Sequence, residues 1–418
     1  MKVAIIGGGI SGLMVAEKLE GKCDYTLFEK ASRAGGHTDT HEVTVDNKTY
    51  NVDTGFIVCN RKNYPTFFSM LDKYGIETQK SDMSFSVNNM QTGLVYNATN
   101  LSSLFCQKRN LLNPRFYRMI KDILRFYNES ESVLESQTKL SLGEYLKQNN
   151  YSKYFLEEHI LPMASALWSG DFESIMEFPV TYLLSFMKNH QMLQISDRPL
   201  WETIKGGSQQ YVKTLIQNLS GTFVTNCQIE SVTRTKDSVK IHASGTSYEF
   251  DKVFFATHSD QTLALLGNQT SKEETEILGS IPYVNNVIDL HTDSAIMPEN
   301  KKAWASWTVN KYPVDTVNLQ QCTVNYYMNL LQNIDCPQPL IVSLNQSQYI
   351  NSEKILKSVH YQHPVYTSKT IESQQRKNEI QGKHNSYFCG AYWGWGFHED
   401  GARSAHEAVQ QFMKECMK

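Results

Sequence analysis

The 418-residue sequence lacks several features that would place it in other classes of protein. No run of about 18 consecutive apolar residues is present, so no membrane-spanning helix is expected, and the N-terminus does not have the pattern of a secretory signal. The eight cysteines are widely spaced without a CxxC pair, which predicts reduced thiols in the cytoplasm and no metal site. The net charge of -3 gives no general attraction for nucleic acid, which is therefore not an expected partner.

The sequence does contain enough apolar material for a large core. Hydrophobic residues make up 40% of the chain and the mean hydropathy is -0.43, values that are typical of globular proteins. Because a domain usually holds about 100–200 residues, this length allows two domains or one elaborated domain.

A glycine-rich motif follows the first apolar run of the chain. Lys2 to Ile6 is typical of a buried strand, and the motif Gly7 to Gly12 leads into a helical pattern. Gly7 permits a tight turn, Gly9 lets the backbone approach a pyrophosphate, and Gly12 allows close helix–strand packing. This order predicts a dinucleotide site at a helix N-terminus, although a glycine turn made only for packing has the same local pattern.

An acidic residue supports the dinucleotide interpretation. Tyr25 to Phe28 forms a second apolar strand that ends at Glu29, about 20 residues after the glycines, where a carboxylate accepts hydrogen bonds from both ribose hydroxyls. The same acid repels a 2′-phosphate and so disfavours NADP. NAD and FAD remain open on these residues alone.

The next motif, Arg33 followed by Gly35-Gly36-His37-Thr38, resembles the extended signature of the FAD superfamily that contains amine oxidases, phytoene desaturases and protoporphyrinogen oxidase. That superfamily usually has arginine where His37 stands, so His37 is either a neutral donor or a spacer. Val52 to Ile57 resembles the superfamily segment that passes close to the flavin ring; an ordinary strand turn is the alternative.

The C-terminal region carries a second glycine-rich turn. Tyr387 to Gly390 is typical of a last buried strand, and a turn rich in glycine and tryptophan precedes a helix that begins near His398. In the superfamily this turn contacts the pyrimidine edge of the flavin, where backbone N–H groups and the helix dipole stabilise negative charge. A terminal helix with a glycine cap and two core tryptophans is the alternative.

Six motifs bring the chain closest to one branch of the superfamily, a predicted FAD-binding family that includes the flavin domain joined to plant cyclopropane fatty acid synthases. They are Gly36-His37-Thr38, Asp53-Thr54-Gly55-Phe56, Ser81 to Phe85, Leu290 to Asp293, Ala303 to Trp307 and Gly396 to Gly401.

The resemblance implies a two-domain α/β flavoprotein: a Rossmann-like FAD domain of the glutathione-reductase and amine-oxidase type, with an inserted substrate domain of mixed sheet and helices. We expect 1–80, 200–275 and 380–418 to form the discontinuous FAD domain, and 81–199 and 276–379 the substrate domain. The expected FAD contacts are Gly7, Gly9, Ile10, Ser11, Gly12, Glu29, Lys30, Arg33, Gly35, Gly36, His37, Thr38, Thr54, Gly55, Phe56, Ile57, Ile229, Gly390, His398, Glu399, Asp400 and Ala402.

The leading functional hypothesis is an FAD-dependent oxidoreductase of oxidase, dehydrogenase or desaturase type that moves hydride from an apolar, fatty-acyl substrate to flavin N5. Amine oxidation, a redox-neutral isomerisation, and a flavin-binding partner of a lipid methyltransferase are the alternatives. No lysine between Ile281 and Asn310 clearly matches the amine-oxidase lysine, which disfavours typical amine oxidation.

Candidate catalytic and substrate residues follow from residue type. His398 and His258 are candidate bases because histidine titrates near neutrality, and Trp393 is a third catalytic candidate. Tyr392, Trp304 and Trp307 are candidate substrate walls. A structural histidine and aromatic residues of an ordinary core are the alternatives in each case.

One stretch of the chain is strongly basic. The sequence predicts a helix over 108–125 with an apolar face and a basic face. Such a helix contacts an anionic membrane surface or a protein partner, or it is an ordinary helix with a solvated basic face, which is the favoured interpretation. The resemblance also implies a lipid-modifying enzyme as partner and a cytoplasmic protein, peripheral at the inner membrane surface if the helix binds lipid.

Overall fold

The structure is a computed structural model that describes residues 1–168, 172–194, 199–313 and 323–416. Its strands are β1 (Lys2–Ile6), β2 (Asp24–Phe28), β3 (Thr40–Val45), β4 (Lys48–Asp53), β5 (Val58–Cys59), β6 (Thr78–Lys80), β7 (Phe85–Asn89), β8 (Leu94–Asn97), β9 (Glu202–Ile204), β10 (Thr222–Val224), β11 (Ile229–Arg234), β12 (Val239–Ala243), β13 (Thr246–Phe250), β14 (Lys252–Phe255), β15 (Tyr283–His291), β16 (Trp307–Lys311), β17 (Val324–Tyr327), β18 (Ile341–Leu344), β19 (Ile355–Pro364) and β20 (Ser386–Phe388).

The α-helices are α1 (Ile10–Leu19), α2 (Pro65–Lys73), α3 (Leu101–Leu104), α4 (Pro114–Glu135), α5 (Leu142–Gln148), α6 (Lys153–Phe155), α7 (Leu161–Trp168), α8 (Phe172–Met176), α9 (Val180–Asn189), α10 (Gln209–Asn218), α11 (Ser259–Leu266), α12 (Lys272–Leu278), α13 (Met328–Leu331), α14 (Ser368–Gln375) and α15 (His398–Cys416). No helix in the described ranges is both long enough and apolar enough to span a bilayer.

A five-stranded parallel sheet, in the order β10-β2-β1-β14-β20, forms the first structural unit. The central strands β1 and β14 are short apolar runs buried on both faces, as expected for parallel sheets covered on each side. Helices α1, α2, α10 and α15 pack on one face, and the antiparallel sheet β11-β12-β13 packs on the other. Strands from both ends and the middle of the sequence therefore meet in one sheet.

A seven-stranded mixed sheet, in the order β19-β15-β18-β17-β16-β7-β8, forms the second unit. Only β7 and β16 pair in parallel; the other neighbours are antiparallel. Helices α4 to α9 pack on the β7–β8 hairpin through a separate apolar cluster. The predicted α/β fold class, a parallel-sheet unit combined with a unit of mixed sheet and helices, is confirmed.

The predicted continuous helix over 108–125 is wrong. Lys108–Leu112 is a 3-10 turn, and α4 begins separately at Pro114. Proline fits the first helical position but holds the preceding residue in an extended conformation, so Asn113 (φ -95°, ψ 103°) interrupts the helix. The Asn113 side chain then caps α4 by accepting a hydrogen bond from the Arg115 N–H.

Candidate functional site

The glycine motif lies at the carboxyl edge of the parallel sheet, where β1 passes into α1. The Gly7 N–H donates to the Phe28 carbonyl at 2.9 Å, and Gly7 has a φ of 102°, which favours glycine. A Cβ at Gly12 would overlap the Gly7 carbonyl oxygen, so α1 and β1 approach closely only because this residue has no side chain. Carboxyl edges of parallel sheets are the usual ligand sites of such folds.

A second glycine pair meets the first at the start of α1. The Gly35 N–H donates to the Gly8 carbonyl at 2.8 Å, and a Cβ at Gly36 would lie 3.1 Å from the Gly9 Cα. On Gly9 itself, the nearest atom to a Cβ would be the Gly36 Cα at 4.0 Å. The result is a bare backbone cradle with open space at Gly9, in front of a helix N-terminus that favours anions.

Glu29 follows β2 beside this cradle. Its carboxylate accepts hydrogen bonds from the Gly8 N–H at 2.7 Å and the Ala31 N–H at 2.8 Å. Each carboxylate oxygen keeps acceptor capacity for a ligand hydroxyl. The Glu29 carbonyl also accepts from the Cys227 N–H at 3.0 Å, which brings the start of β11 at Ile229 close to the acid, while Lys30 is exposed.

The loops 33–39 and 53–57 are joined along their backbones. The Phe56 N–H donates to the His37 carbonyl at 2.7 Å, and the Thr54 N–H to the Asp39 carbonyl at 3.0 Å. A Cβ at Gly55 would overlap the His37 carbonyl, so only glycine permits this approach. The Arg33 guanidinium donates to the Thr38 carbonyl at 3.0 Å and pairs with Asp39, so this side chain fixes the loop.

A buried carboxylate attaches these loops to the middle of the chain. Asp53 accepts hydrogen bonds from the Ser208 N–H at 2.9 Å, from the Ser208 hydroxyl at 2.8 Å and from the Thr40 hydroxyl. Burial raises its pKa to about 6, and the donated hydrogen bonds oppose that rise. Asp53 thus holds the segment 53–57 against the start of α10, and Ile57 extends from it into an apolar cluster.

The N-termini of two helices converge beside the glycine cradle. The Ser11 hydroxyl donates to the Gly401 carbonyl at 3.1 Å, and a Cβ at Gly401 would lie 2.9 Å from the Ile10 Cγ2. Ala402 is buried in the same contact. Because α1 begins at Ile10 and α15 at His398, both helices bring their partially positive ends to one region.

Two acids at the start of α15 already bind backbone groups. The Glu399 carboxylate accepts the Thr66 and Phe67 N–H groups, both at 2.9 Å, and so caps α2. The Asp400 carboxylate accepts the Trp395 and Phe397 N–H groups, both at 3.0 Å, and burial raises its pKa to about 6. The side chains thus order the turn, and Gly390 is fixed separately by its N–H bond to the Ser404 hydroxyl at 2.9 Å.

Three histidines gather at the same edge of the sheet. The ring of His37 lies 6.0 Å from that of His258 and 5.4 Å from that of His363, centroid to centroid, with Tyr361 4.8 Å away. His37 Nε2 and His258 Nδ1 are buried without a hydrogen-bond partner among the described residues. Burial, with the neighbouring His37 charge, lowers the pKa of both His258 and His363 to about 3, so these rings are neutral.

His398, the first candidate base, is also held neutral. Its ring stacks on Phe56 at 3.7 Å, its Nε2 lies 2.8 Å from the Tyr211 hydroxyl, and burial moves its pKa well below the usual range. The Tyr211 hydroxyl in turn lies 2.6 Å from the Thr38 hydroxyl. This chain of contacts connects α15 to the loop at Thr38.

The structure separates the candidate aromatic residues. Trp307 lies on the side of the seven-stranded sheet that packs with Ile57, whereas Trp304 packs in a different cluster and donates its indole N–H to the Pro298 carbonyl at 2.7 Å. Trp393 lies in the core of the parallel-sheet unit and donates to the Phe388 carbonyl at 3.1 Å. Tyr392 is buried beside it, and its hydroxyl has no hydrogen-bond partner within the described ranges. The predicted walls therefore do not form one surface.

An apolar face of the seven-stranded sheet meets the segment 53–57. Side chains from β15 to β18 cover this face together with Ile57, Ala166 and Trp307; they are Ile288, Leu290, Val309, Val324, Val342 and Leu344. All of these except Trp307 are buried, and the indole N–H of Trp307 has no partner among the described residues. Val43, Val45, Tyr50 and Val52 of β3 and β4 belong to the same cluster, so it is a packed core, with Trp307 as a half-buried side chain against it.

Sequence reasoning missed Tyr211, Tyr361 and His363. Tyr211 follows the Gly206-Gly207-Ser208 turn, but its contact with His398 joins residues 187 apart in sequence. The alternation of β19 places Tyr361 and His363 on one side of the strand, and this signal was available.

The comparisons with known proteins agree with this architecture. The profile of the family "Flavin containing amine oxidoreductase" matches residues 10–329, and the chain therefore belongs to this family of FAD-dependent oxidoreductases. FAD is its cofactor, and the glycine cradle with open space at Gly9 and the unpartnered nitrogens of His37 and His258 fit such a group.

Individual relatives are more distant. The L-amino-acid oxidase of Mus musculus is 24% identical over 61% of the chain, and the match spans only 40% of that relative's length. Cyclohexylamine oxidase from Brevibacterium oxydans superposes with a TM-score of 0.70 at 12% identity over 100% of this chain and 99% of that one. A CLA-producing fatty acid isomerase from P. acnes superposes with a TM-score of 0.68 at 17% identity over 98% of each chain. At these identities the two structures show a shared fold.

Proposed function

We propose that this flavoprotein takes a hydride from a C–H bond of an apolar substrate, with an acyl chain as the favoured class. The observation that carries the proposal is the half-buried Trp307, which packs against the apolar cluster of β15 to β18 that also contains Ile57. An acyl chain packed against this edge of the cluster would gain about 0.8 kcal/mol of binding free energy per buried methylene. We assign this face to a substrate domain of 81–199 and 276–379.

The cofactor role is assigned to the residues at the carboxyl edge. Gly7, Gly9 and Gly12 with the α1 N-terminus would take the diphosphate, Glu29 the ribose hydroxyls, and the Ile229 backbone the adenine. The remaining proposed contacts follow the loops and the α15 turn: Ile10, Ser11, Lys30, Arg33, Gly35, Gly36, His37, Thr38, Thr54, Gly55, Phe56, Ile57, Gly390, His398, Glu399, Asp400 and Ala402. For Arg33, Glu399 and Asp400 the supported role is to position the backbone, because their side chains bind protein groups.

The protein groups would act by position and by exclusion of water. FAD, when bound, supplies the hydride-accepting atom N5. The converging N-termini of α1 and α15 favour negative charge beside them, and the aliphatic face keeps water from the reacting carbon. His398 and His258 are neutral, but burial lowers the pKa of both, so each is a weak proton acceptor. The Nε2 of His398 is also engaged by Tyr211, whereas the Nδ1 of His258 has no partner among the described residues, so His258 is the more accessible of the two candidate bases.

Amine oxidation is the second candidate. The family match and the relative that is an L-amino-acid oxidase favour it. Against it, Lys301 and Lys302, the lysines between 281 and 310, are exposed, and Lys311 donates to the Glu157 carbonyl at 2.6 Å. A buried lysine beside the substrate face is therefore not found in the described part of the chain.

The test is anaerobic mixing of the purified holoenzyme with fatty acyl, phospholipid and amine compounds while the visible flavin absorbance is recorded. Lasting bleaching by an acyl compound supports the proposal, and bleaching by amines alone overturns it in favour of amine oxidation. Product formed without lasting reduction identifies a redox-neutral isomerase. No turnover of any compound, with a lipid methyltransferase activated by the protein, identifies a non-catalytic partner.

Location and partners are proposed on the same basis. An enzyme for acyl substrates is expected in the cytoplasm, peripheral at the inner membrane surface, where a lipid-modifying enzyme would supply or consume its substrate. Fractionation of the native host's cells tests these expectations. Recovery of the protein in a fraction other than the cytoplasm and its inner membrane would contradict them.

A further inference from the structure

Exposed apolar side chains concentrate on one surface of the protein. Among the described residues, five of the eleven large hydrophobic residues that are exposed fall within 101–124. Leu112 is 89% exposed, Leu101 75% and Leu111 49%, and Tyr117 and Leu124 are also exposed. Five such side chains within one 24-residue stretch form a patch of the kind that marks an interaction site.

Contacts within the stretch bring together the segments that carry these side chains. The Tyr117 hydroxyl donates to the Leu111 carbonyl at 3.0 Å, and the Phe105 ring lies 6.0 Å from the Tyr117 ring. The Phe105 N–H bonds the Leu101 carbonyl at 3.1 Å. Leu124 follows Tyr117 by seven residues and so lies on the same face of α4. We call this surface, with Leu101, Leu111, Leu112, Tyr117 and Leu124, the leucine patch.

Basic residues border the leucine patch. Residues 101–125 contain six basic side chains and one acidic one, although the chain as a whole carries a net charge of -3. Lys108, Arg115 and Lys121 are exposed and form no ion pair with a described carboxylate. Lys121 lies between Tyr117 and Leu124 on α4 at the spacing of one helix face.

Charge is distributed unevenly along α4, with basic side chains near its N-terminus and acidic ones in its second half. The single acid of the stretch, Asp122, is buried and pairs with Arg118, whereas the acids Glu129, Glu131 and Glu135 lie in the second half of the helix. The Leu111-Leu112 turn precedes the helix N-terminus, so the apolar tip, the basic side chains and the positive end of the helix dipole lie together. A partner with an apolar interior and a negatively charged surface would contact the apolar tip, the basic side chains and the helix N-terminus at once.

We propose that the leucine patch docks the protein end-on to an anionic lipid bilayer, with Leu111 and Leu112 inserted among the headgroups and the basic side chains over the lipid phosphates. Apolar burial and electrostatic attraction act together in such binding, and neither is sufficient alone. The 3-10 turn, and not a long amphipathic helix, is the inserted element.

The test is co-sedimentation of the FAD-loaded protein with vesicles of phosphatidylcholine alone and of phosphatidylcholine with phosphatidylglycerol. We expect binding only to the anionic vesicles at low salt, with release at high salt. Leu111→Ser with Leu112→Ser should lower the partition coefficient at least about tenfold, as should Lys108→Gln with Arg115→Gln and Lys121→Gln.

Matched controls separate docking from general effects. Leu330→Ser with Leu356→Ser removes two exposed leucines elsewhere, and Lys213→Gln with Lys236→Gln and Lys240→Gln makes the same change of charge in the parallel-sheet unit and its antiparallel sheet. Both should bind as the wild type does. No binding to anionic vesicles at low salt, an equal loss in the controls, or a patch variant that changes only the oligomeric state in light scattering would overturn the proposal. Retained flavin absorbance confirms that each variant folds.

Discussion

The Tyr211 hydroxyl lies 2.8 Å from His398 Nε2 and links the start of α15 to the parallel-sheet unit. Both side chains are buried, and the same hydroxyl lies 2.6 Å from the Thr38 hydroxyl. The phenol has one proton to donate, so at least one of these neighbours donates to its oxygen. Three chain segments far apart in sequence are joined at one atom beside the proposed flavin site.

Removal of this hydroxyl is the first prediction. Tyr211→Phe leaves two buried polar groups without their partner, so we expect a loss of about 1–3 kcal/mol in the free energy of unfolding. The dissociation constant for FAD should also rise, because His398 begins the helix that we propose to face the cofactor. Urea unfolding of the FAD-free protein and titration with FAD measure the two effects.

Tyr366→Phe is the matched control for that variant. Tyr366 is equally buried, but its hydroxyl has no hydrogen-bond partner among the described residues. Its removal should be neutral or slightly stabilising. Equal losses in both variants would show that the Tyr211 contact contributes nothing of its own.

The second prediction concerns two glycines of the cradle. Gly9 has an extended backbone (φ -74°, ψ -174°) and open space around a Cβ, so Gly9→Ala should change the stability of the FAD-free chain by less than about 0.5 kcal/mol. It should nevertheless weaken FAD binding strongly, because the methyl group would occupy the place of the diphosphate. Gly12→Ala overlaps the Gly7 carbonyl and should lose about 1–3 kcal/mol or more of stability.

Released flavin measured by absorbance after gel filtration, with urea unfolding of the FAD-free forms, distinguishes these outcomes. Normal FAD content in a stable Gly9→Ala variant would contradict the assignment of the cradle.

Local sequence patterns predicted the parallel sheet and its glycine turns because those elements depend on short apolar runs and on conformations that favour glycine. The Gly7 to Gly12 turn and the strand before Glu29 lie where they were expected. Pro114 also carried a local signal, a probable helix start, which the amphipathic pattern across 108–125 obscured.

Contacts between distant segments had no such signal. The Glu399 carboxylate caps α2, which lies more than 300 residues earlier in the chain, and no local pattern indicates this contact. The separation of Trp304 from Trp307 depends on strand alternation and on which loops cover each face of the sheet. Residue type alone therefore suggested both tryptophans as substrate walls.

The third prediction is a loss of stability in mild acid. Several buried histidines have pKa values below the unfolded value of about 6.5; they are His37, His190, His258, His291, His363 and His398. Below that value the unfolded chain binds more protons than the folded one. The stability that the neutral histidines contribute is therefore complete above about pH 6.5 and is lost as the pH falls. Each ring contributes up to about 1.4 kcal/mol per pH unit within that window.

Asp53 and Asp400 act in the opposite direction. Their pKa values are raised to about 6, so the folded state binds protons as the pH falls below 6 and part of the loss is recovered. Burial also raises the pKa of Glu399, which makes three such acids against six histidines. The urea midpoint of the holoenzyme should therefore decrease as the pH is lowered from about 7.5 to about 5.5. A midpoint that stays constant or increases as the pH is lowered would disprove the prediction that the histidines outweigh the acids.

The last prediction tests the apolar face with a pair of tryptophans. Trp307→Phe alters the face that packs with Ile57, so we expect an altered KM and a slower bleaching of the flavin by the substrate identified in the anaerobic screen. Trp304→Phe removes the indole bond to the Pro298 carbonyl in a different cluster, so it should lower stability by about 1–3 kcal/mol and leave KM unchanged. Steady-state kinetics and urea unfolding of both variants distinguish a residue that contacts substrate from a residue of the core. Equal kinetic effects in the two variants would show that the substrate does not bind at this face.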